Sequence, residues 1–216
     1  PEDPLIPSDP IKVFGPRLGQ LALGPLFRAP RQLVELDRGG DKFELAGLNG
    51  AFLTGDLFNL FVCFELLLIA SYALLLHAAG PRALATGFRY VVVNLVGSSL
   101  FLVAVSLLYG VTGTLSLADL AIKVPSVPPE SHGLLRAAGF MLLVVFAIKA
   151  AIVPLGYWLP GAYAAAPAPA TVLFALMTKV GVYAVLRVGS VAFGADGGAL
   201  ADLGQDVLFA LGVATI

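Results

Sequence analysis

The sequence predicts an all-α integral membrane protein, and three observations carry that class. Of 216 residues, 58% are hydrophobic and only 12% are charged, about half the charged share of an ordinary soluble domain. Mean hydropathy is +0.91. The apolar residues gather into runs close to the roughly 20 residues that a bilayer-crossing helix needs. Three of those runs each hold a lone charge: Glu65, Lys149 and Lys179.

Composition also removes whole classes of function. A net charge of −1 leaves no basic footprint for nucleic acid. A single cysteine, Cys63, excludes an internal disulfide and a cysteine metal cluster. His77 and His132 fall at predicted helix ends or loops with no companion ligands, so no metal site is expected. No phosphate loop, cofactor motif or nucleophile–base arrangement is present. No basic-then-apolar leader opens the chain. It starts on Pro1 and stops at Ile216 inside an apolar run, the pattern of a piece cut from a longer protein.

Residues 1–42 are expected to form a polar, Pro/Gly-rich leader, flexible or non-native, because no run there is long enough to span. The membrane domain is expected at 43–216. Residues 43–55 are apolar but short, the tail of a helix. Asp56 suits the start of the next helix, where a carboxylate complements free backbone N–H groups. The first span, Leu57–Leu76, contains Glu65 and stops before Gly80-Pro81. The second, 88–111, contains Asn94, Gly97, Ser98 and Ser99, small or hydrogen-bonding residues at helix-packing spacing. A packing role leads there, with water-holding by Asn94 or Ser98 as the weaker reading. A polar, proline-containing loop follows at 112–133. The third span, 134–155, carries Lys149, and Pro154 is expected to kink or end it within about a turn of that lysine. Tyr157 and Trp158 suit a membrane interface. The fourth span, 170–192, holds Lys179, Tyr183 and Arg187, with Arg187 as an interface anchor. A fifth begins at 207. Arg82 and Arg89 in one loop, against Asp119, Glu130, Asp196, Asp202 and Asp206 with a single mid-loop lysine, Lys123, in the others, predict that Arg82 and the WLPGAY segment face the cytoplasm.

The lone charges carry the functional argument. An ammonium at the centre of a spanning helix costs about 2.5–3.5 kcal/mol on insertion scales. Lys149 has Val145, Phe146, Ile152 and Val153 within a turn and no acid three or four residues away to offset that cost. Snorkelling suits a lysine near a helix end, and these positions are mid-run. Burial disfavours the charged form of a lysine and a nearby carboxylate favours it. A carboxylate moving toward or away from such a lysine would load or release a proton. Intramembrane acid–base sets of this kind mark proton pathways. Cys63 reads as packing.

Three stretches in order, TGDLFNLFVCFELLLIASYALL, FAIKAAIVPLGYWLPGAYAAAPAPA and LMTKVGVYAVLR, resemble the antiporter-like membrane subunits shared by Mrp-type multisubunit Na+/H+ antiporters and respiratory complex I. Within that group they are most similar in style to the D-type subunits. The resemblance covers about 43–216. It implies a multi-helix bundle of two inverted repeats, each a half-channel around a broken helix, of which this chain holds the first repeat only. It implies that the glutamate matching Glu65 pairs with the lysine matching Lys149, that the lysine matching Lys179 continues the path, and that Pro154 marks the helix break. The function implied is a proton half-channel, a Glu65–Lys149–Lys179 relay, in a monovalent cation/proton antiporter of the inner membrane. Its partners would be other subunits, the lipid bilayer, H+ and a monovalent cation. The alternatives are a proton-pumping membrane subunit of complex I or a related hydrogenase and, more distantly, a structural membrane module. The family usually has aspartate where Gly161 stands and tryptophan where Cys63 stands, and residues 1–41 do not resemble its early helices.

Overall fold

The computed structural model describes residues 31–76, 81–166, 168–192, 194, 197, 198 and 201–215. The described elements are helices: α1 (Arg31–Leu53), α2 (Leu57–Leu76), α3 (Pro81–Thr112), α4 (Leu117–Lys123), α5 (His132–Lys149), α6 (Leu159–Ala165), α7 (Ala168–Ala192) and α8 (Gln205–Thr215). Two 3₁₀ turns, Val124–Ser126 and Pro129–Ser131, lie between α4 and α5. The chain divides into two compact units, 1–39 and 40–216. The described part of the first unit is its share of α1. The remainder of the expected leader, and also His77 and Asp196, lie outside the described residues. Where a leader was expected up to residue 42, α1 is already helical from Arg31.

Among the described residues, three helices are long and apolar enough to cross a bilayer: Ala85–Thr112, Pro129–Lys149 and Phe174–Ala192. The described apolar stretch of α2, Leu57–Ala73, is shorter, although α2 itself has 20 residues. α3 is the central element. It packs most extensively on α5, and also on α2 and α6, while α7 lies along α5. α2 and α3 run antiparallel, with Phe61 level with Phe101 and Tyr72 level with Tyr90.

Local chemistry explains the ends of these helices. The carboxylate of Asp56 accepts the Asn59 N–H at 2.9 Å, which caps α2 as the sequence predicts. The turn before α2 is pinned to the turn before α4. Leu57 N–H donates to Leu115 O at 2.9 Å, and Leu117 N–H donates to Gly55 O at 2.8 Å. The two ends of the bundle are also distinguishable. A methyl at Gly161 would sit 3.0 Å from Thr86, so the WLPGAY segment shares an end with the Arg89 segment. A methyl at Gly198 would sit 2.7 Å from Pro125, which places Gly198 beside the α4–α5 connection.

The third span is shorter than hydropathy suggests. α5 ends on Lys149, not at residue 155. Ala151 takes a φ of +54°, a left-handed conformation that stops an L-residue helix. Pro154 lies in the turn that follows, and α6 resumes the helix at Leu159. A helix end in an apolar bundle leaves carbonyls without intrahelical partners. Here the Trp158 indole N–H donates to Ile148 O at 3.1 Å. Trp158 is buried and serves the break, where the sequence suggested an interface residue.

Candidate functional site

The site is a thin polar layer between two aromatic ones. On one side the rings of Phe64 (α2), Phe101 (α3) and Phe146 (α5) meet edge to face, with centroids 6.1 Å apart for Phe64–Phe101 and 5.5 Å apart for Phe101–Phe146. On the other side Tyr90 (α3) gathers Tyr72 at 5.4 Å, Trp158 at 5.1 Å and Phe174 at 6.0 Å. Between the layers lie Asn94 and Ser98, one helical turn apart on α3 and both buried.

These two side chains hold the two charges. Ser98 Oγ donates a hydrogen bond to Glu65 Oε1. Lys149 Nζ donates to Asn94 Oδ1 at 3.5 Å. The amide of Asn94 is oriented by its own Nδ2, which donates to Tyr90 O at 3.0 Å, leaving Oδ1 toward the lysine. The Lys149 ammonium lies 5.5 Å from the centroid of the Phe64 ring, a cation–π contact whose value rises when the pair is desolvated. Lys149 is 4% exposed, so snorkelling is excluded. Among the described residues no direct ion pair joins Glu65 to Lys149. The carboxylate acts on the ammonium through space, and α3 stands between them with one acceptor and one donor.

α7 shapes the break from behind. A methyl at Gly181 would lie 2.3 Å from Ala150 N and 2.5 Å from the Lys149 carbonyl carbon. Only a residue without Cβ lets α7 press this closely on the end of α5.

The structure brings Glu65 and Lys149 to one stripe of α3, and it does not bring Lys179 there. Met177, Thr178 and Val180 are buried while Lys179 between them is exposed, on the outward face of α7. Pro154 lies in the turn beyond Lys149 and not in the polar layer. Arg187 Nη1 donates to Phe52 O at 2.9 Å, and to Tyr183 OH, while Tyr183 OH donates to the same Phe52 carbonyl at 2.8 Å. A cation there meets the negative C-terminal end of α1.

Asn94 and Ser98 are the residues that sequence reasoning undervalued. Their signal was present: Tyr90, Asn94 and Ser98 recur at a spacing of four, one polar stripe on an otherwise apolar helix. Chemically, the layer can hold a positive charge on an amine, stabilise it with a fixed carboxylate nearby, and exchange hydrogen bonds through a hydroxyl that donates or accepts.

Comparison with known proteins follows the same residues. The family described as "NADH:quinone oxidoreductase/Mrp antiporter, TM" matches residues 54–216. The chain is 51% identical over 172 residues to the D subunit of a probable K(+)/H(+) antiporter from Rhizobium meliloti (strain 1021), covering 80% of this chain and 32% of that protein. It is 50% identical over 155 residues to the D subunit of a Na(+)/H(+) antiporter from Bacillus subtilis (strain 168), covering 71% and 31%. Its fold is similar to a chain of the Mrp complex from Dietzia sp. DQ12-45-1b, with TM-score 0.63 and 39% identity over 69% of this chain and 28% of that one. The chain spans about a third of the length of the curated relatives it matches.

Proposed function

Because this chain belongs to the NADH:quinone oxidoreductase/Mrp antiporter family of membrane proteins, we propose that it is the proton-conducting part of a D-type subunit in a monovalent cation/proton antiporter. It works in the inner membrane with the other subunits of that complex, as a transporter rather than an enzyme, and the segment holding Arg82 faces the cytoplasm. The observation that carries this reading is the placement of Glu65 and Lys149 on adjacent turns of α3, through Ser98 and Asn94, inside an apolar bundle.

In this reading a proton reaching the neutral Lys149 amine forms an N–H bond and leaves an ammonium. Asn94 Oδ1 and the Phe64 ring accept that charge. The Glu65 carboxylate, fixed by Ser98, lowers its energy through space. Displacing Glu65 withdraws that support, the N–H bond breaks, and the proton passes on. Lys179 is the next base, reached from the outward face of α7. The break after Lys149 ends α5 at that residue, so its backbone is not continued by a further helical turn. The same family takes in NADH:quinone oxidoreductase subunits; relatives named as antiporter subunits at about half identity favour the antiporter.

The test uses the intact subunit assembled in everted membrane vesicles, with cation-induced collapse of a pH gradient as the readout. Lys149→Ala and Glu65→Ala each abolish the collapse while the complex still assembles. Normal transport in either variant removes the pair from the proton path. Loss of assembly in both, with transport restored by an apolar pair at the two positions, identifies a purely structural pair.

A further inference from the structure

The contacts around Lys149 close into a ring. From the charged end, Lys149 Nζ donates to Asn94 Oδ1 at 3.5 Å, and Asn94 Nδ2 donates to Tyr90 O at 3.0 Å. The Tyr90 ring lies against the Trp158 indole, with centroids 5.1 Å apart. The indole N–H then donates to Ile148 O at 3.1 Å, one residue before Lys149. The ammonium and the backbone of this lysine are thus tied to the same two aromatic residues, Tyr90 on α3 and Trp158 at the start of α6.

Local sequence makes the return possible. The chain doubles back after the break. A methyl at Gly156 would lie 2.1 Å from Ala151 O, an approach open only to a residue without Cβ. Trp158 follows and opens α6. Trp158 and Tyr90 are both buried, so the indole N–H meets its acceptor away from water, where an unmade hydrogen bond is costly. Ile148 O also accepts the Ala151 N–H at 3.1 Å, within the turn that ends α5. The indole adds a second tie, from the far side of the break.

We propose that Trp158 is a positioning residue for proton exchange at Lys149: it holds the end of α5 at the height from which Nζ reaches Asn94. This deepens the relay reading and rests on it. At 3.5 Å the ammonium–amide contact stands at the long limit of a hydrogen bond, so a small shift of the lysine backbone removes the acceptor. Among the titratable groups on the elements around Lys149, Glu65 on α2 acts on the ammonium through space. Tyr90 on α3 and Tyr163 on α6 belong to the aromatic layer that holds Trp158, and Lys179 on α7 faces outward. The indole itself does not titrate, so a displaced pH profile in its variants reports on the groups it positions.

Trp158→Phe keeps a ring against Tyr90 and removes the N–H. In vesicles holding the intact complex it lowers antiport by about tenfold, within what a misplaced reacting group costs, and displaces the pH profile as Asn94→Leu does. The double variant Trp158→Phe/Asn94→Leu loses no more than either alone, because both act on one contact. Losses that multiply to about a hundredfold, as independent sites would give, overturn positioning through Asn94. A second arm stands apart from transport. Hydrogen exchange of the purified intact complex, read by mass spectrometry, quickens over residues 149–153 in Trp158→Phe and stays as in wild type over α2. Unchanged exchange over 149–153 overturns the tie. Quickened exchange with a wild-type pH profile, beside an inactive Lys149→Ala, overturns its role in transport. If Lys149→Ala transports normally, the relay reading fails and exchange alone decides for the tie. Should Trp158→Phe not assemble, Tyr90→Leu decides, since it removes the ring beside the indole and keeps the carbonyl that holds Asn94. Quickened exchange over 149–153 in that variant supports the tie, and unchanged exchange overturns it.

Discussion

Lys149 and Lys179 begin as equals, each the lone charge near the middle of an apolar run, and the fold treats them oppositely. Lys149 is buried at the last position of α5 with an amide oxygen and an aromatic face around its charge. Lys179 is exposed between buried neighbours on α7. The same insertion cost is met inside the bundle in one case and outside it in the other. A lone charge in a spanning helix therefore signals that a partner is needed, and the rotation of the helix decides where that partner must come from. For Lys149 it comes from α3 of this chain. For Lys179 it must approach the outer face of α7.

The largest effect that sharpens this comparison is expected at Gly181, where α7 turns its inner face to Lys149. Gly181→Val places atoms against the backbone of Lys149 and Ala150. The backbone must shift, at a cost at or beyond the upper end of the about 1–3 kcal/mol typical of overpacking. Thermal unfolding of the purified complex measures it, and a melting temperature equal to wild type would show that α7 does not seat the break.

A middle-sized effect is expected at Asn94. Asn94→Leu keeps the volume close and leaves the Lys149 ammonium without its amide acceptor, a loss of about 1–3 kcal/mol. Antiport falls by roughly tenfold, 1.4 kcal/mol being a factor of ten, while assembly persists. Full activity in that variant would mean that Asn94 is packing, as its spacing on α3 first suggested.

The smallest effect on stability is expected at the outward lysine. Lys179→Met removes an exposed charge that makes no hydrogen bond among the described residues, so unfolding moves by no more than about 0.5 kcal/mol. Transport, in the relay reading, is lost. A variant that is destabilised as much as Lys149→Met would break the contrast between the two lysines, and one that transports at the wild-type rate would remove Lys179 from the path.

The amino-acid sequence by itself determined the class, the order of the helices and the identity of the charged residues, because hydropathy and the cost of a buried charge are properties of a local run. Glu65 and Lys149 stood out on those grounds alone, and the residues around Asp56 announced the start of α2. The end of α5 was legible only to within about a turn: the helix stops at Lys149, because Ala151 turns left-handed and Trp158 and Gly181 close around the break, and none of that is local in sequence. Tertiary structure alone decided that Asn94 and Ser98 stand between the two charges, that Lys179 faces outward, and that Arg187 caps α1. Each of these depends on which face of a helix meets a neighbour and at what height. A run that is apolar all round gives no amphipathic stripe to orient it, so close approach at positions such as Gly181 sets rotation and register instead.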